Sequence, residues 1–212
     1  AIDKEASKNI FLKNKIITPK YFKLNLSTNY SKKIINKIEK KLKFPVVIKP
    51  LNEGSSVDVF ICGKSNLINK ISSLKDYKEI LVEEYIPGRE IQAAILGEKK
   101  LGIIELKPKR KFYDYQAKYN LRAKTKHLIP VRISKKEYKN VLNIAYKAHK
   151  LLKCKGVTRS DFKFYKGKFY LLETNTQPGM TSLSLVPEIA RYKSISFLKL
   201  VEWMINDAST NR

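Results

Sequence analysis

The stretch from Arg159 to Asn175 constrains the fold most. Two runs rich in aromatic residues, Arg159-Ser160-Asp161-Phe162-Lys163-Phe164-Tyr165 and Phe169-Tyr170-Leu171-Leu172-Glu173-Thr174-Asn175, flank Lys166-Gly167-Lys168. Such a pair reads as a β-hairpin. A three-residue loop with Gly167 in the left-handed position sets Tyr165 against Phe169 and hence Asp161 against Glu173. Strand alternation then carries Asn175 to the same face. Two carboxylates and an amide oxygen would converge there, a hard-oxygen set suited to Mg²⁺. A two-residue loop would put Asp161 and Glu173 on opposite faces, leaving two solvated surface acids, and the sequence alone does not choose between these registers.

The rest of the chain reads as alternating short elements. Ile34, Ile35, Ile38 and Leu42 share one face of a helix between Thr28 and Leu42. A buried strand, Phe44 to Pro50, ends at Lys49. The small polar loop Asn52 to Ser56 and a second strand, Val57 to Cys62, complete a hairpin. A short helix over Leu67 to Leu74 and a strand over Glu79 to Tyr85 close the first lobe at Pro87-Gly88. Strands over Glu90 to Leu96 and Leu101 to Leu106 follow. Residues 108–125 have no period and read as a long functional loop. Ser134 and Glu137 form a capping box for a helix reaching Leu152, and Ser196 caps a last one.

Lys49 beside Gly54 to Ser56 could meet a phosphate, or be any strand-end lysine in a lysine-rich chain. Glu83, Glu84, Tyr85 and Ile86 with Glu90 could form a hinge with a carboxylate for ribose hydroxyls, or a strand end with solvated acids. The 212 residues carry 44 Lys plus Arg against 19 Asp plus Glu, a net charge of +25. Arg occupies only seven positions and the lysines are spread throughout, which fits an AT-rich genome better than a nucleic-acid surface. Hydrophobic residues at 43% are enough to build a core. No run approaches the roughly 18 apolar residues of a membrane span. Ala1 to Glu5 lack the apolar core of a signal peptide, so the expectation is a soluble, cytoplasmic protein without a membrane partner. Cys62 and Cys154, far apart, support neither a disulfide framework nor a zinc site, and His127 and His149 are too few for a His-based centre.

Taken together, Phe44 to Pro50 with Glu53 to Val57, then Phe112-Tyr113-Asp114-Tyr115-Gln116-Ala117-Lys118-Tyr119, then Leu171 to Pro187, resemble the ATP-grasp enzymes, and among them the D-alanine–D-alanine ligases. The resemblance implies an α+β ATP-grasp fold, two lobes with mostly antiparallel sheets and flanking helices. Residues 1–25 would be a linker and first helix from a missing N-terminal domain, 26–86 the small lobe, and 87–212 the large lobe with the metal and substrate site. It implies ATP and Mg²⁺ (or Mn²⁺) as cofactors, D-alanine as substrate, and a role in peptidoglycan precursor synthesis. Nucleic acid is not an expected partner, and a homodimer is open to it.

By the same resemblance Lys4, Lys49 and Lys118 face phosphates. Glu83, Glu84, Tyr85 and Ile86 hold adenine, and Glu90 holds ribose. Asp161, Glu173 and Asn175 hold the metal. Arg159 and Gly179 hold the acyl-phosphate and oxyanion, and Ser184 the second D-alanine's carboxylate. Ser55 pairs with Tyr119 to close the loops, with Tyr113 beside the substrate. Asp58 departs from a usual glycine, and Ser160 and Gln177 are milder departures. The resemblance also implies an N-terminal domain, missing before Ala1 and expected in cis or in trans, that would supply a Glu for the first D-alanine. A D-lactate-type ligase, which often carries Phe where Tyr119 stands, and a nucleotide-binding module without ligase activity are the alternatives.

Overall fold

The computed structural model describes residues 2–27, 32–54, 57–107, 125–181 and 183–208. Ser55, Tyr113, Lys118 and Tyr119, with most of the loop expected over 108–125, lie outside the described residues. Among those described, nine strands form two antiparallel sheets.

The first sheet has the order β1-β4-β2-β3, with β1 Tyr21–Asn25, β2 Val46–Pro50, β3 Phe60–Cys62 and β4 Glu79–Glu84. Helices α2 (Lys32–Lys41) and α3 (Leu67–Ser72) cover one face. Ile34, Ile38 and Leu42 meet Val46, Ile48, Leu67, Ile71, Ile80 and Val82 there in one buried cluster. The apolar residues at helical spacing thus bury the face that periodicity assigned to them. Strand β3 is shorter than the expected Val57 to Cys62 because Asp58 has φ 53, a left-handed conformation that no strand continues through. Strand β1, only five residues long, gave no strand pattern in the sequence. It pairs with β4 from Tyr21↔Glu83 to Asn25↔Glu79, so the sheet of the small lobe begins before residue 26.

The second sheet has the order β7-β6-β5-β8-β9, with β5 Arg89–Leu96, β6 Lys99–Lys107, β7 Lys126–Leu128, β8 Val157–Tyr165 and β9 Lys168–Asn175. On one face lie α1 (Lys4–Lys13) and α4 (Lys135–Leu151), where Phe11, Val141 and Ala145 pack on Ile91, Ala93, Phe162 and Leu171. Against part of the other lie α5 (Leu185–Tyr192) and α6 (Phe197–Asp207), packing on Ala94, Leu96, Ile104 and Leu106. The caps are those the sequence predicts. The Glu137 amide donates to Ser134 Oγ at 3.2 Å, and the Ser134 amide donates to Glu137 Oε2 at 2.8 Å. The Lys199 amide donates to Ser196 Oγ. Helix α1, the first helix of the expected 1–25 segment, packs on the second sheet through Phe11.

The central hairpin departs from the expected register and reaches the expected result. Its turn has two residues, Lys166 (φ 47) and Gly167 (φ 72), and Tyr165 pairs with Lys168. That pairing alone would set Asp161 against Leu172. A bulge between Asp161 and Phe162 inserts one residue into β9, so that Phe162 opposes Leu171 while Asp161 opposes Glu173. The bulge restores the face that the short turn would have lost.

Candidate active site

An open cleft of about 830 Å³ lies between the sheets. From the first sheet and α1 it takes Lys4, Lys49, Glu83 and the Glu84 to Ile86 segment, and from the second Glu90, Asp161, Lys163, Leu172 and Glu173. Nine residues singled out by sequence therefore share one space. Lys49 is on β2 because the strand Val46–Pro50 alternates Val46 and Ile48 into the core, leaving Val47 and Lys49 for the cleft side. Lys4 enters from the first turn of α1, whose start is fixed by Asp3 Oδ1 accepting from the Ala6 amide at 2.8 Å. Its ammonium donates to the carbonyls of Leu51 (3.3 Å) and Glu53, tying the helix to the start of the polar loop.

Glu83 has an environment that the sequence does not reveal. Its carboxylate lies between two ammonium groups, with Lys8 Nζ 2.7 Å from Oε1 and Lys49 Nζ 2.7 Å from Oε2. Burial alone would raise the Glu83 carboxyl, but Lys49 and Lys8 outweigh it and hold it below the usual range. Lys8 is 1% exposed, and burial pushes it down to about 8 against the pull of Glu83. Thr18 Oγ1 accepts a hydrogen bond from the same ammonium. Lys4 is also lowered by burial, with Glu173 the largest opposing influence.

At the end of the second sheet Asp161 is 4% exposed and Glu173 faces it across the ladder. Asn175 Nδ2 donates to Asp161 Oδ2 at 3.3 Å. The Arg159 guanidinium holds Asp161 with a fork of 2.8 and 3.1 Å. Among the described residues no three His, Cys, Asp or Glu side chains gather to hold a metal. A cation at this end would therefore rest on two carboxylates, the amide oxygen, and oxygens from solvent or substrate, which fits Mg²⁺ better than softer ions.

Gly179 and Ser184 stand together outside the lining of this cleft, in the turn that leads from β9 to α5. A Cβ on Gly179 would come within 2.9 Å of Ser184 Oγ, so a side chain there displaces the serine. Ser184 Oγ accepts from the Thr181 amide at 2.9 Å. Two lysines, Lys8 buried behind the cleft against Glu83 and Lys163 in its wall, had no role assigned from sequence. Lys8 has no local signal beyond its helical spacing from Lys4. Lys163 lies on the cleft side of β8, where alternation from Asp161 could have placed it.

Known proteins resemble this chain in sequence and in fold. A family model described as the C-terminus of D-ala D-ala ligase matches residues 11–206. The D-alanine–D-alanine ligase of Pelagibacter ubique (strain HTCC1062) is 66% identical over 212 residues, covering 100% of this chain and 69% of that protein. A crystal structure of the D-alanine–D-alanine ligase from Bacillus anthracis superposes with a TM-score of 0.84 at 33% identity, covering 97% of this chain and 66% of that one. The same enzyme complexed with ATP gives 0.80 at 28% identity, covering 97% and 65%. This chain thus spans about two thirds of the length of these proteins. By sequence and by fold, the chain belongs to the D-alanine–D-alanine ligase C-terminal family.

Proposed function

We propose that this chain binds MgATP in the cleft and carries the phosphoryl-transfer part of an ATP-dependent D-alanine–D-alanine ligase, making the dipeptide for peptidoglycan precursors through an acyl-phosphate. The observation that carries the reading is the facing of Lys4 and Lys49 on one wall by Asp161 and Glu173 on the other. A polyphosphate between them would meet ammonium groups on one side and a cation-holding carboxylate pair on the other.

In this reading the backbone of Glu84 to Ile86 and the side chain of Leu172 take the base, Glu90 the sugar, and Lys4 and Lys49 the phosphates. Glu83 orients Lys49 and lies under the base. Magnesium, when bound, neutralises phosphate oxygens during transfer. Asp161, Glu173 and Asn175 are the residues that would hold it. Arg159 neutralises Asp161 in this structure and would turn to the acyl-phosphate of the first D-alanine. The Gly179 amide would hold the oxyanion formed when the second D-alanine's amine attacks, and Ser184 would anchor that substrate's carboxylate. Ser55, Tyr113, Lys118 and Tyr119 are proposed to close over the substrates. The lobes divide as residues 21–86 and 87–208, with α1 packed on the second. Positioning and charge neutralisation are the whole of the protein's share.

Calorimetric titration of MgATP into this chain tests the nucleotide half. Binding is expected, and Glu173→Gln, which removes charge from the cation end at equal volume, should weaken it at least tenfold in magnesium. Equal affinity for both proteins would remove Glu173 from the site. The ligase half is tested by joining this chain to the N-terminal part of the Pelagibacter ubique relative. Phosphate release from ATP that needs D-alanine is the expected result, and release without the dipeptide would leave only a nucleotide-binding module.

A further inference from the structure

Lys163 opposes Glu90 across the β5–β8 ladder, and its Nζ lies 3.0 Å from Glu90 Oε2. The side chains are 14% and 10% exposed, and both line the cleft. Their pairing is therefore part of the cleft wall, not of the outer surface. An ammonium has three N–H donors. Among the described residues Glu90 is the one hydrogen-bond partner of Lys163. Donors remain that can face whatever the cleft holds.

Position along the strand says which part of a ligand that is. Lys163 stands two residues from Asp161, about 7 Å along β8 toward the hairpin turn. Beyond it Phe164 and Tyr165 run close under Gly88, where a Cβ would fall 2.5 Å from the Phe164 carbonyl oxygen. Gly88 lies just beyond the Glu84 to Ile86 segment, so Lys163 lies between the base-holding end and the cation end. A nucleotide with its base at Glu84 to Ile86 and its terminal phosphates at Lys4 and Lys49 places its sugar and first phosphate there. A bare Glu90 carboxylate at this point would repel the polyphosphate. The Lys163 ammonium offsets that charge and offers donors beside it.

We infer that Lys163 is a further nucleotide-binding residue: its ammonium, 3.0 Å from Glu90 Oε2, donates a hydrogen bond of its own to an oxygen where the nucleotide's sugar meets its first phosphate. The inference rests on the nucleotide reading of the cleft. A charge-assisted hydrogen bond of this kind changes affinity by about tenfold.

A double-mutant cycle read by calorimetry with MgATP separates contact from mere counter-charge. The proteins are the wild-type chain, Lys163→Met, Glu90→Gln and the double variant, with Lys163→Arg as the conservative control. Contact predicts that Lys163→Met weakens MgATP about tenfold in both backgrounds, and that Lys163→Arg stays within about threefold of wild type. An effect that vanishes beside Glu90→Gln would show that Lys163 only neutralises Glu90 and would overturn the inference, as would no effect at all. Thermal melts of each variant guard against loss of fold, and Lys163→Gln is read in the same way where the methionine variant does not fold. A wild-type chain that does not bind MgATP would instead overturn the nucleotide reading itself.

Discussion

Glu83 shows how single residues in this cleft depend on partners far away in the chain. Two lysines on one buried carboxylate leave a net positive charge in the first wall, suited to an anion. The cost falls on Lys8, whose conjugate acid is weakened by burial. Because its folded pKa of about 8 lies below the ordinary 10.5, the unfolded chain binds more protons between those values and stability from this group rises with pH there. Urea melts of wild type and Lys8→Met should therefore diverge in favour of wild type between about pH 8 and 10, and a gap independent of pH would show that Lys8 is not so depressed. The role of Lys8 was not legible in the sequence, since one helical lysine among 44 basic residues looks like any other. Asp58 was legible as a departure but not in its meaning. It occupies a left-handed position that Asp tolerates, and its carboxylate accepts from Tyr77 Oη at 2.7 Å, which pushes the phenol up to about 12. The tie fastens the end of the polar loop to the turn before β4.

At the scale of elements the β8–β9 hairpin carries the most weight. Its existence, its glycine and its terminal acids followed from the sequence, whereas the pairing of Asp161 with Glu173 followed only through a loop length that the structure does not have. The reason is physical: pattern gives alternation, but an inserted residue at a sheet edge is invisible to it, and β9 is such an edge. The bulge makes Leu172 surplus to the ladder. Deleting Leu172 should leave the fold and the facing of Asp161 by Glu173 intact, with a melting temperature within a few degrees of wild type, and should weaken ATP through the lost apolar wall. Deleting Phe162, which pairs with Ile91 in an unbroken ladder, should abolish folding. Circular dichroism of both deletions decides the matter: collapse of the Leu172 deletion would contradict the bulged register.

For the whole molecule, α1 joins what the sheets separate. Phe11 is fully buried in the large-lobe core while Lys4 and Lys8, on the same helix, reach the cleft and Glu83. Phe11→Ala should cost about 3–5 kcal/mol of stability and weaken MgATP as well, because the helix that loses its anchor presents both lysines. Denaturant melts paired with calorimetry would show it, and a stability loss with unchanged affinity would mean that the lysines are held by the first sheet alone. From sequence the two lobes and their antiparallel character were legible through hairpins and caps, but not this strap, because nothing local marks which sheet a helix will join.

The chain crosses from one sheet to the other twice in this region, once between α1 and β1 and once between β4 and β5. The first crossing is tied at both ends: the Glu84 amide donates to the Lys20 carbonyl at 2.8 Å, one step beyond the β1–β4 pairing, and the Leu171 amide of β9 donates to the Ile17 carbonyl at 2.9 Å. Between those ties only Thr18 and Pro19 are left, a tether that spans at most about 10 Å from Ile17 to Lys20, so at this edge the walls that carry Lys49 and Glu173 can part no further than so short a cord allows.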